Sequence, residues 1–210
     1  MKMNKIEISK ILNYCIQNTE NLFFSQIKEI DVVKKNKKFR YMDNDEISSM
    51  IISSYFDEVI SKLQLQKKKI KNITSITAKI KTLLQYQLNC DFEKKYFLKK
   101  VFMHLSKERK FSQVLDYCFK VSSKMWELAG DTATDLNYYS KRLILSAVYS
   151  KTFVQLLTLS DYKKEKIIED IDHSLQKVKT FNEIKSKICS SDILSILNKF
   201  RPEQSKGRGF

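Results

Sequence analysis

Glycine and proline are scarce in this chain, with three glycines and one proline in 210 residues. The turns of sheet-rich folds and long flexible linkers depend on these residues, so neither is favoured. Leucine, isoleucine, lysine and glutamate instead recur at helical spacing. We therefore predict an all-α protein, built as one domain or as a small domain beside a larger one.

The histidines and cysteines of the chain show no pattern typical of a metal site or a catalytic site. The two histidines, His104 and His173, have no accompanying cluster of carboxylate ligands. The four cysteines (Cys15, Cys90, Cys118 and Cys189) form no CxxC pair, which favours buried free thiols of a reducing compartment. We predict no enzyme activity, no metal and no cofactor. The apolar residues of the first helix are periodic rather than continuous, so we also predict no signal or transit peptide.

Positive charge exceeds negative charge by 15. Such an excess is typical of proteins that bind nucleic acid or an anionic membrane. Between Glu127 and Lys179, however, eight acidic residues balance eight basic ones, so the excess lies in the first 125 residues and in the C-terminal tail. The alternative is that the basic runs are simply solvated faces.

A helical hairpin between Met125 and Tyr149 organises the rest of the chain. Gly130 can adopt the left-handed conformation that ends a helix, and Asp135 is a good N-cap for the next one. That second helix is apolar on nearly every face from Leu136 to Leu157, which predicts a buried central helix. The short connection makes the two helices antiparallel neighbours.

A membrane span is the alternative for the second helix of the hairpin. Residues 143–160 carry a single charge, Lys151, near their middle. A lysine there costs about 2.5–3.5 kcal/mol on insertion, so we predict a buried helix instead. Small residues on adjacent turns either leave room for a ligand or permit close helix packing: Ser146, Ala147 and Ser150.

Aromatic and charged residues gather at the connecting end of the hairpin. Tyr138, Tyr139 and Arg142 share a helix face with the N-cap, and Trp126 lies on the neighbouring helix. Trp, Tyr and Arg are enriched at interface hot spots. We predict that a partner protein binds Met125, Trp126, Asp131, Asp135, Tyr138, Tyr139 and Arg142. The alternative, equally supported by spacing, is an aromatic core layer with a capping carboxylate.

A resemblance to a known family is carried by the segment MWELAGDTATDLNYYSKRLILSAVYSKT, residues 125–152. It is similar to the signature of the coenzyme Q biosynthesis protein nine family. The matching residues are Met125, Trp126, Ala129, Gly130, Asp131, Thr134, Asp135, Asn137, Tyr139, Lys141, Arg142, Leu145, Val148, Tyr149 and Thr152. The family pattern has other residues at Ala133, Tyr138 and Ser140.

The resemblance implies a TetR-repressor-like helical fold, a lipid-binding cavity and an accessory role in ubiquinone synthesis. The implied partner is the di-iron hydroxylase that acts on a demethoxyubiquinone-type intermediate. We predict a homodimer that carries an isoprenoid, quinone or phospholipid and lies at an anionic membrane surface, on the cytoplasmic face of a bacterial inner membrane or the matrix side in mitochondria. The residues predicted to contact the lipid are Phe97, Val101, Ser146, Ala147 and Ser150.

Three short helices are predicted before residue 42, over residues 5–19, 22–30 and 32–39, where a TetR-like chain has its helix-turn-helix. The basic run from Lys34 to Arg40 is suited to phosphate contacts. The segment lacks a glycine-bearing turn, and residues fit to read base edges are sparse. We predict a vestigial structural module. The alternative is a TetR-type lipid-sensing regulator that binds DNA.

Further helices are predicted along the middle of the chain. Asp43 and Glu46 form a capping box that opens a helix through Leu65. Amphipathic helices follow over residues 74–88, 91–105 and 163–179. The predicted organisation is an N-terminal three-helix region (1–42), a lipid-binding domain (43–180) that contains the signature, and a C-terminal amphipathic helix with a basic tail (181–210).

The C-terminal segment has an apolar stripe that we predict to contact the membrane: Ile193, Leu194, Ile196, Leu197 and Phe200. Burial of five such side chains contributes roughly 8–15 kcal/mol as an upper bound, against about 1 kcal/mol for each nearby lysine or arginine at anionic lipid. The family resemblance implies a C-terminal helix that engages the bilayer. The alternative is that the stripe docks on the chain's own core.

Overall fold

A computed structural model describes residues 5–132 and 136–191, and every regular element within them is helical. This confirms the all-α prediction. The α-helices are α1 Lys5–Gln17, α2 Asp31–Lys34, α3 Asn44–Leu65, α4 Lys67–Ile70, α5 Ile76–Glu93, α6 Lys95–Lys107, α7 Ser112–Ala129, α8 Leu136–Thr158 and α9 Lys166–Ser191. Short 3-10 helices lie at Thr19–Asn21, Phe24–Glu29 and Lys37–Phe39.

The chain forms two compact units, Met1–Ile171 and Asp172–Phe210. In the first unit α8 packs against α5, α6 and α7, and α3 packs against α1 and α7. Of the second unit the structure describes part of α9. The predicted boundaries at residues 42 and 180 and the TetR-like arrangement stay predictions.

The predicted capping box opens α3. The carboxylate of Asp43 accepts a hydrogen bond from the Glu46 backbone N–H at 2.7 Å, and the Glu46 carboxylate accepts one from the Asp43 N–H at 3.1 Å. Two N–H groups that α-helical bonding cannot satisfy are thereby paired. The local signal in the sequence is enough to define this helix start.

Aromatic rings fill the space between α3, α7 and α8. Phe56 stacks on Tyr117 with ring centroids 4.2 Å apart, and Tyr117 lies 6.2 Å from Tyr149 and 6.1 Å from Phe153. Such pairs add about 0.5–1.5 kcal/mol beyond the burial of their area. The hairpin is therefore bound to the rest of the first unit through its own inner face.

The break between α5 and α6 lies beyond the predicted one at residues 89 and 90. Helix α5 continues through Asp91 to Glu93, and Lys94, with φ −109° and ψ 19°, interrupts the helix. The prediction that residues 74–88 and 91–105 form separate helices was wrong in its boundary. The side chain of Asp91 is hydrogen-bonded inside the core, so the helix continues through this residue.

The N-terminal region also departs from the prediction. Residues 32–39 do not form one helix, because α2 ends at Lys34 and a separate 3-10 turn follows at Lys37–Phe39. The segment 22–30 is 3-10 helix at Phe24–Glu29 rather than α-helix. A helix of four residues is too short to place side chains along a DNA groove, so this region gives the DNA-binding alternative no support.

No helix within residues 5–132 and 136–191 is both long and apolar enough to cross a membrane. Helix α8 is too polar to span a membrane because its two sides differ in character. One side carries buried residues such as Leu145, Tyr149 and Phe153, whereas Tyr139, Leu143 and Lys151 are exposed. The predicted buried helix is therefore buried along one face only, and its opposite face is exposed.

Candidate functional site

The connection between α7 and α8 begins with a left-handed glycine. Gly130 has φ 92° and ψ 27°, and its N–H bonds the Glu127 carbonyl at 3.1 Å. The next N–H, from Asp131, returns to the Trp126 carbonyl at 3.0 Å. This closure turns the chain sharply after α7 and confirms the predicted helix end at Gly130.

Asp131 lies between two cations of α8. Its Oδ1 accepts a bond from Lys141 Nζ at 2.7 Å, and its Oδ2 accepts one from Arg142 Nη1 at 3.0 Å. The Arg142 guanidinium also donates to the Tyr138 carbonyl at 3.0 Å and lies 3.3 Å from the centroid of the Tyr138 ring. The side chains of Arg142 and Asp131 are 4% and 5% exposed. This cluster fixes the start of α8 against the end of α7.

Trp126 connects the two helices a second time. Its indole N–H donates to the Lys141 carbonyl at 3.0 Å, and Lys141 Nζ lies 5.5 Å from the centroid of its ring. The ring is half-buried. Trp126 therefore links α7 to α8, and the exposed part of its ring contributes to the surface of the hairpin.

The predicted partner-binding residues divide between the interior and the surface. Met125 and Arg142 are 0% and 3% exposed, so neither reaches a partner directly. Tyr139 is 60% exposed, and Tyr138 is intermediate because it covers Arg142. Residue 135 lies outside the described residues. Helical spacing placed Tyr139 and Arg142 together on one predicted partner-binding face. Their side chains differ in exposure, so of these two only Tyr139 is accessible to a partner.

An apolar stripe runs outward along α8, composed of Tyr139, Leu143 and Ala147, which we call the α8 stripe. Tyr139 and Leu143 are each 60% exposed, and Ala147 is exposed as well. Their spacing of four residues places them on successive turns of one face. Exposed apolar side chains are ordinary when isolated, but neighbours on one rigid face are typical of an interaction surface.

A buried polar network joins α8 to α5 and was not predicted. The Tyr149 hydroxyl donates to Asp91 Oδ2 at 2.7 Å, and Gln87 Nε2 donates to Asp91 Oδ1 at 2.9 Å. The hydroxyl oxygens of Tyr149 and Tyr117 lie 3.3 Å apart. Asp91 is 0% exposed. A signal existed in the sequence, because Gln87 and Asp91 are spaced i, i+4 on the apolar face of α5.

Burial raises the pKa of Asp91 to about 7, although the hydrogen bonds from Tyr149 and Gln87 lower it in part. Burial also raises the pKa of Tyr149 and of Tyr117 well above the usual tyrosine range, and the nearby Asp91 carboxylate adds to both increases. Asp91 is thus the group in this network that titrates near neutral pH. Within the described part of the chain, no group of three His, Cys, Asp or Glu residues is arranged to hold a metal ion.

The predicted lipid-contact residues differ in their exposure. Phe97 and Val101 are 1% and 3% exposed, whereas Ala147 belongs to the α8 stripe, and Ser146 and Ser150 are half-buried. The space bounded by Val101, Tyr117 and Phe153 is about 10 Å³, which holds at most about one water molecule. A surface groove of about 830 Å³, with Phe97 in its lining, lies between α6 and the end of α1.

The predicted membrane-contact residues 193, 194, 196, 197 and 200 lie outside the described residues. Their role stays a prediction, as does the contact of the hairpin residues with a partner.

Comparison with known protein families matches residues 111–182 to the family described as COQ9. This segment is similar to COQ9. The match confirms the resemblance carried by residues 125–152, and it extends from the start of α7 into α9. The COQ9 segment therefore contains the whole hairpin, the α8 stripe and Tyr149, whereas Asp91 and Gln87 precede it. No curated protein and no solved structure matches the chain.

The COQ9 match implies a role in ubiquinone biosynthesis. The Asp131 cluster and the left-handed Gly130 give the COQ9 segment a fixed hairpin, and the α8 stripe is the apolar surface that this hairpin presents. The charged groups of the hairpin, Asp131, Lys141 and Arg142, are paired with one another.

Proposed function

We propose that this protein is a lipid-binding accessory protein of ubiquinone biosynthesis that presents a quinone intermediate to a membrane-peripheral di-iron hydroxylase. The observation that carries the proposal is the exposed α8 stripe on the fixed hairpin of the COQ9 segment. On this proposal the α8 stripe and the exposed part of Trp126 contact the hydroxylase. The chain supplies position and a path for the lipid, and the hydroxylase supplies the chemistry.

Rigidity supports this assignment of the docking surface. Binding surfaces lose affinity when side chains and loops must be ordered on association. Here the ion pairs of Asp131 and the indole bond of Trp126 already hold the two helices together. Tyr139 then projects from an ordered helix, and a tyrosine in that position is suited to be an interface anchor. Arg142 acts through this framework rather than by touching the partner.

The lipid part of the proposal rests on energetics and on available space. Moving an apolar tail through water costs about 0.8 kcal/mol for each CH₂ group, so a protein-lined path lowers the barrier to leaving the bilayer. The groove beside Phe97 offers about 830 Å³ at the surface, within the range of small-molecule sites of roughly 300–1,000 Å³. A tail beside Val101 would require α6 and α8 to separate. Membrane contact through residues 193–200 and assembly as a homodimer belong to the same proposal.

Co-purification with the hydroxylase tests the docking surface. The variant Tyr139→Ala/Leu143→Ala truncates the two large members of the α8 stripe, each 60% exposed. We expect capture of the hydroxylase to fall at least about 30-fold, the equivalent of a hot spot of roughly 2 kcal/mol. The melting temperature should change little, because both side chains are largely in solvent already. Leu65→Ala is the matched control, since Leu65 is 72% exposed at the far end of α3.

Unchanged capture by the stripe variant would reject the docking surface, and an equal loss with Leu65→Ala would show that the effect is not local. Mass spectrometry of organic extracts from the purified protein tests the lipid part separately. We expect a quinone precursor or phospholipid near one molecule per chain. A protein that carries no lipid after purification without detergent would contradict lipid binding.

A further inference from the structure

Helix α6 has two faces of opposite character. Phe97, Leu98, Val101 and Leu105 face the core and are at most 3% exposed. The opposite face carries the α6 stripe, which comprises Tyr96, Lys99, Lys100, Met103 and Lys107. These residues follow the spacing i, i+3, i+4, i+7, i+11, so they lie along one line on successive turns. Tyr96 and Met103 are 69% and 58% exposed.

Phe23 extends this surface beyond the helix. The Nζ of Lys100 lies 4.5 Å from the centroid of the Phe23 ring, and Phe23 is 56% exposed. Lys95 Nζ lies 5.2 Å from the centroid of the Tyr96 ring. Each exposed ring is therefore accompanied by a lysine. The side chains combine apolar area with positive charge at the same place on the surface.

The charge on α6 is of one sign. Residues 94–107 contain five lysines and no aspartate or glutamate. In the part of the chain that the structure describes, no carboxylate pairs with Lys99 or Lys100. The acids of the adjoining groove are Glu20 and Glu93, and Glu93 is itself paired with Lys164 at 3.2 Å. The α6 stripe thus has charge available for an anionic partner.

We propose that the α6 stripe, together with Phe23, contacts an anionic membrane surface. Lysines attract the head groups, while Tyr96, Phe23 and Met103 insert their apolar parts at the interface. Tyrosine is a common residue at that depth. The groove beside Phe97 adjoins the α6 stripe, since Tyr96, Lys99 and Met103 also line it. The groove would then open toward the bilayer.

A single-stranded nucleic acid is the other anionic polymer to consider, and the geometry favours it less. Such ligands stack their bases on open aromatic faces. Here Lys100 lies over Phe23 and Lys95 over Tyr96, and Met103 offers no ring. Flexible lysines over the rings suit head groups beside an apolar layer better than they suit stacked bases. The inference rests on the membrane-peripheral part of the proposed function, but it concerns residues other than 193–200.

Vesicle flotation with the full chain tests the proposal. Vesicles of phosphatidylcholine, with and without phosphatidylserine, are compared for the wild type and for Lys99→Glu/Lys100→Glu. Each lysine near anionic lipid contributes about fivefold in binding, and each new glutamate adds repulsion, so the double variant should bind at least about 30-fold more weakly. Lys67→Glu/Lys68→Glu makes the same change in net charge at exposed positions of α4. This control should lose far less binding.

A local probe gives a second readout. An environment-sensitive fluorophore is attached through Met103→Cys or, as control, through Leu65→Cys, both in a Cys90→Ser/Cys189→Ser background. Met103 and Leu65 are 58% and 72% exposed. On addition of phosphatidylserine vesicles we expect a blue shift in emission from the probe at position 103 only.

Three results would overturn the proposal. The first is equal loss of binding in the two charge-reversal variants. The second is binding that survives Lys99→Glu/Lys100→Glu but is lost in Ile193→Asp/Leu197→Asp, which would leave the proposed function intact. The third is binding of single-stranded DNA without binding of vesicles. Stripe-dependent vesicle binding by a protein that fails to capture the hydroxylase would support the α6 stripe and reject the docking proposal.

Discussion

The guanidinium of Arg142 donates to Asp131 Oδ2 at 3.0 Å, and both side chains are almost fully shielded from water. Asp131 follows the left-handed Gly130, and Arg142 lies in the second turn of α8. The pair therefore ties the end of one helix to the start of the next. Two charges removed from water gain little net stability from each other, but each is costly without its partner. The interaction serves to position the hairpin.

Loss of Asp131 should be far more damaging than loss of its exposed partner. We expect Asp131→Ala to lower the free energy of unfolding by about 3–5 kcal/mol, because Arg142 is left buried without its carboxylate. Lys141→Ala should cost less than about 1 kcal/mol, since the Lys141 side chain is 39% exposed. Urea unfolding followed by circular dichroism measures both. Similar losses for the two variants would show that burial does not govern this site.

Gly130 should tolerate asparagine better than alanine. Its φ of 92° is strained for residues with a side chain, whereas a Cβ there meets no heavy atom within 4 Å. We therefore expect a purely conformational cost of about 1–2 kcal/mol for Gly130→Ala, and a smaller one for Gly130→Asn. Thermal unfolding of the two variants makes the comparison. Equal destabilisation by alanine and asparagine would contradict this expectation. It would show that the preference for the left-handed backbone conformation does not determine the cost.

The buried Asp91 should make stability depend on pH. Its pKa is about 7 in the folded protein and near the ordinary aspartate value when unfolded. The folded state therefore holds a proton that the unfolded state releases between about pH 4 and pH 7. Stability from this group is complete below the unfolded pKa and is lost as the pH rises through about 7. Asp91→Asn cannot titrate, so its unfolding free energy should fall less over that range.

Urea unfolding at several pH values between 5 and 8 tests this difference. The comparison with Asp91→Asn is needed because burial lowers the pKa of His104, which acts in the opposite direction. Stability from His104 is present above the histidine reference pKa and is lost as the pH falls through its lowered value. Parallel pH profiles for wild type and variant would show that Asp91 does not carry the dependence.

The sequence correctly predicted the structural features that depend only on residues close together in the chain. The capping box at Asp43 and Glu46 and the left-handed Gly130 lie where the sequence indicated, because each depends on backbone groups a few residues away. The residues of the signature likewise identified the COQ9 segment. Helical periodicity was sufficient for the all-α class.

The direction of individual side chains needed the tertiary structure. Tyr139 and Arg142 are three residues apart and were grouped on one face, yet one is 60% exposed and the other 3%. A helix face spans a wide angle, and the packing of α7 decides which part of it is covered. The prediction that Arg142 belongs to a contact surface could not be corrected from spacing.

By itself the sequence determined an all-helical protein with a fixed hairpin in the COQ9 segment, since caps and periodicity act over a few residues. Only the tertiary structure decided that Asp91 is buried and bonded to Tyr149, 58 residues away, and that the space beside Val101 is about 10 Å³. Contacts between segments so distant in sequence depend on how whole helices pack. Their burial, volume and charge environment therefore exist only once the chain is folded.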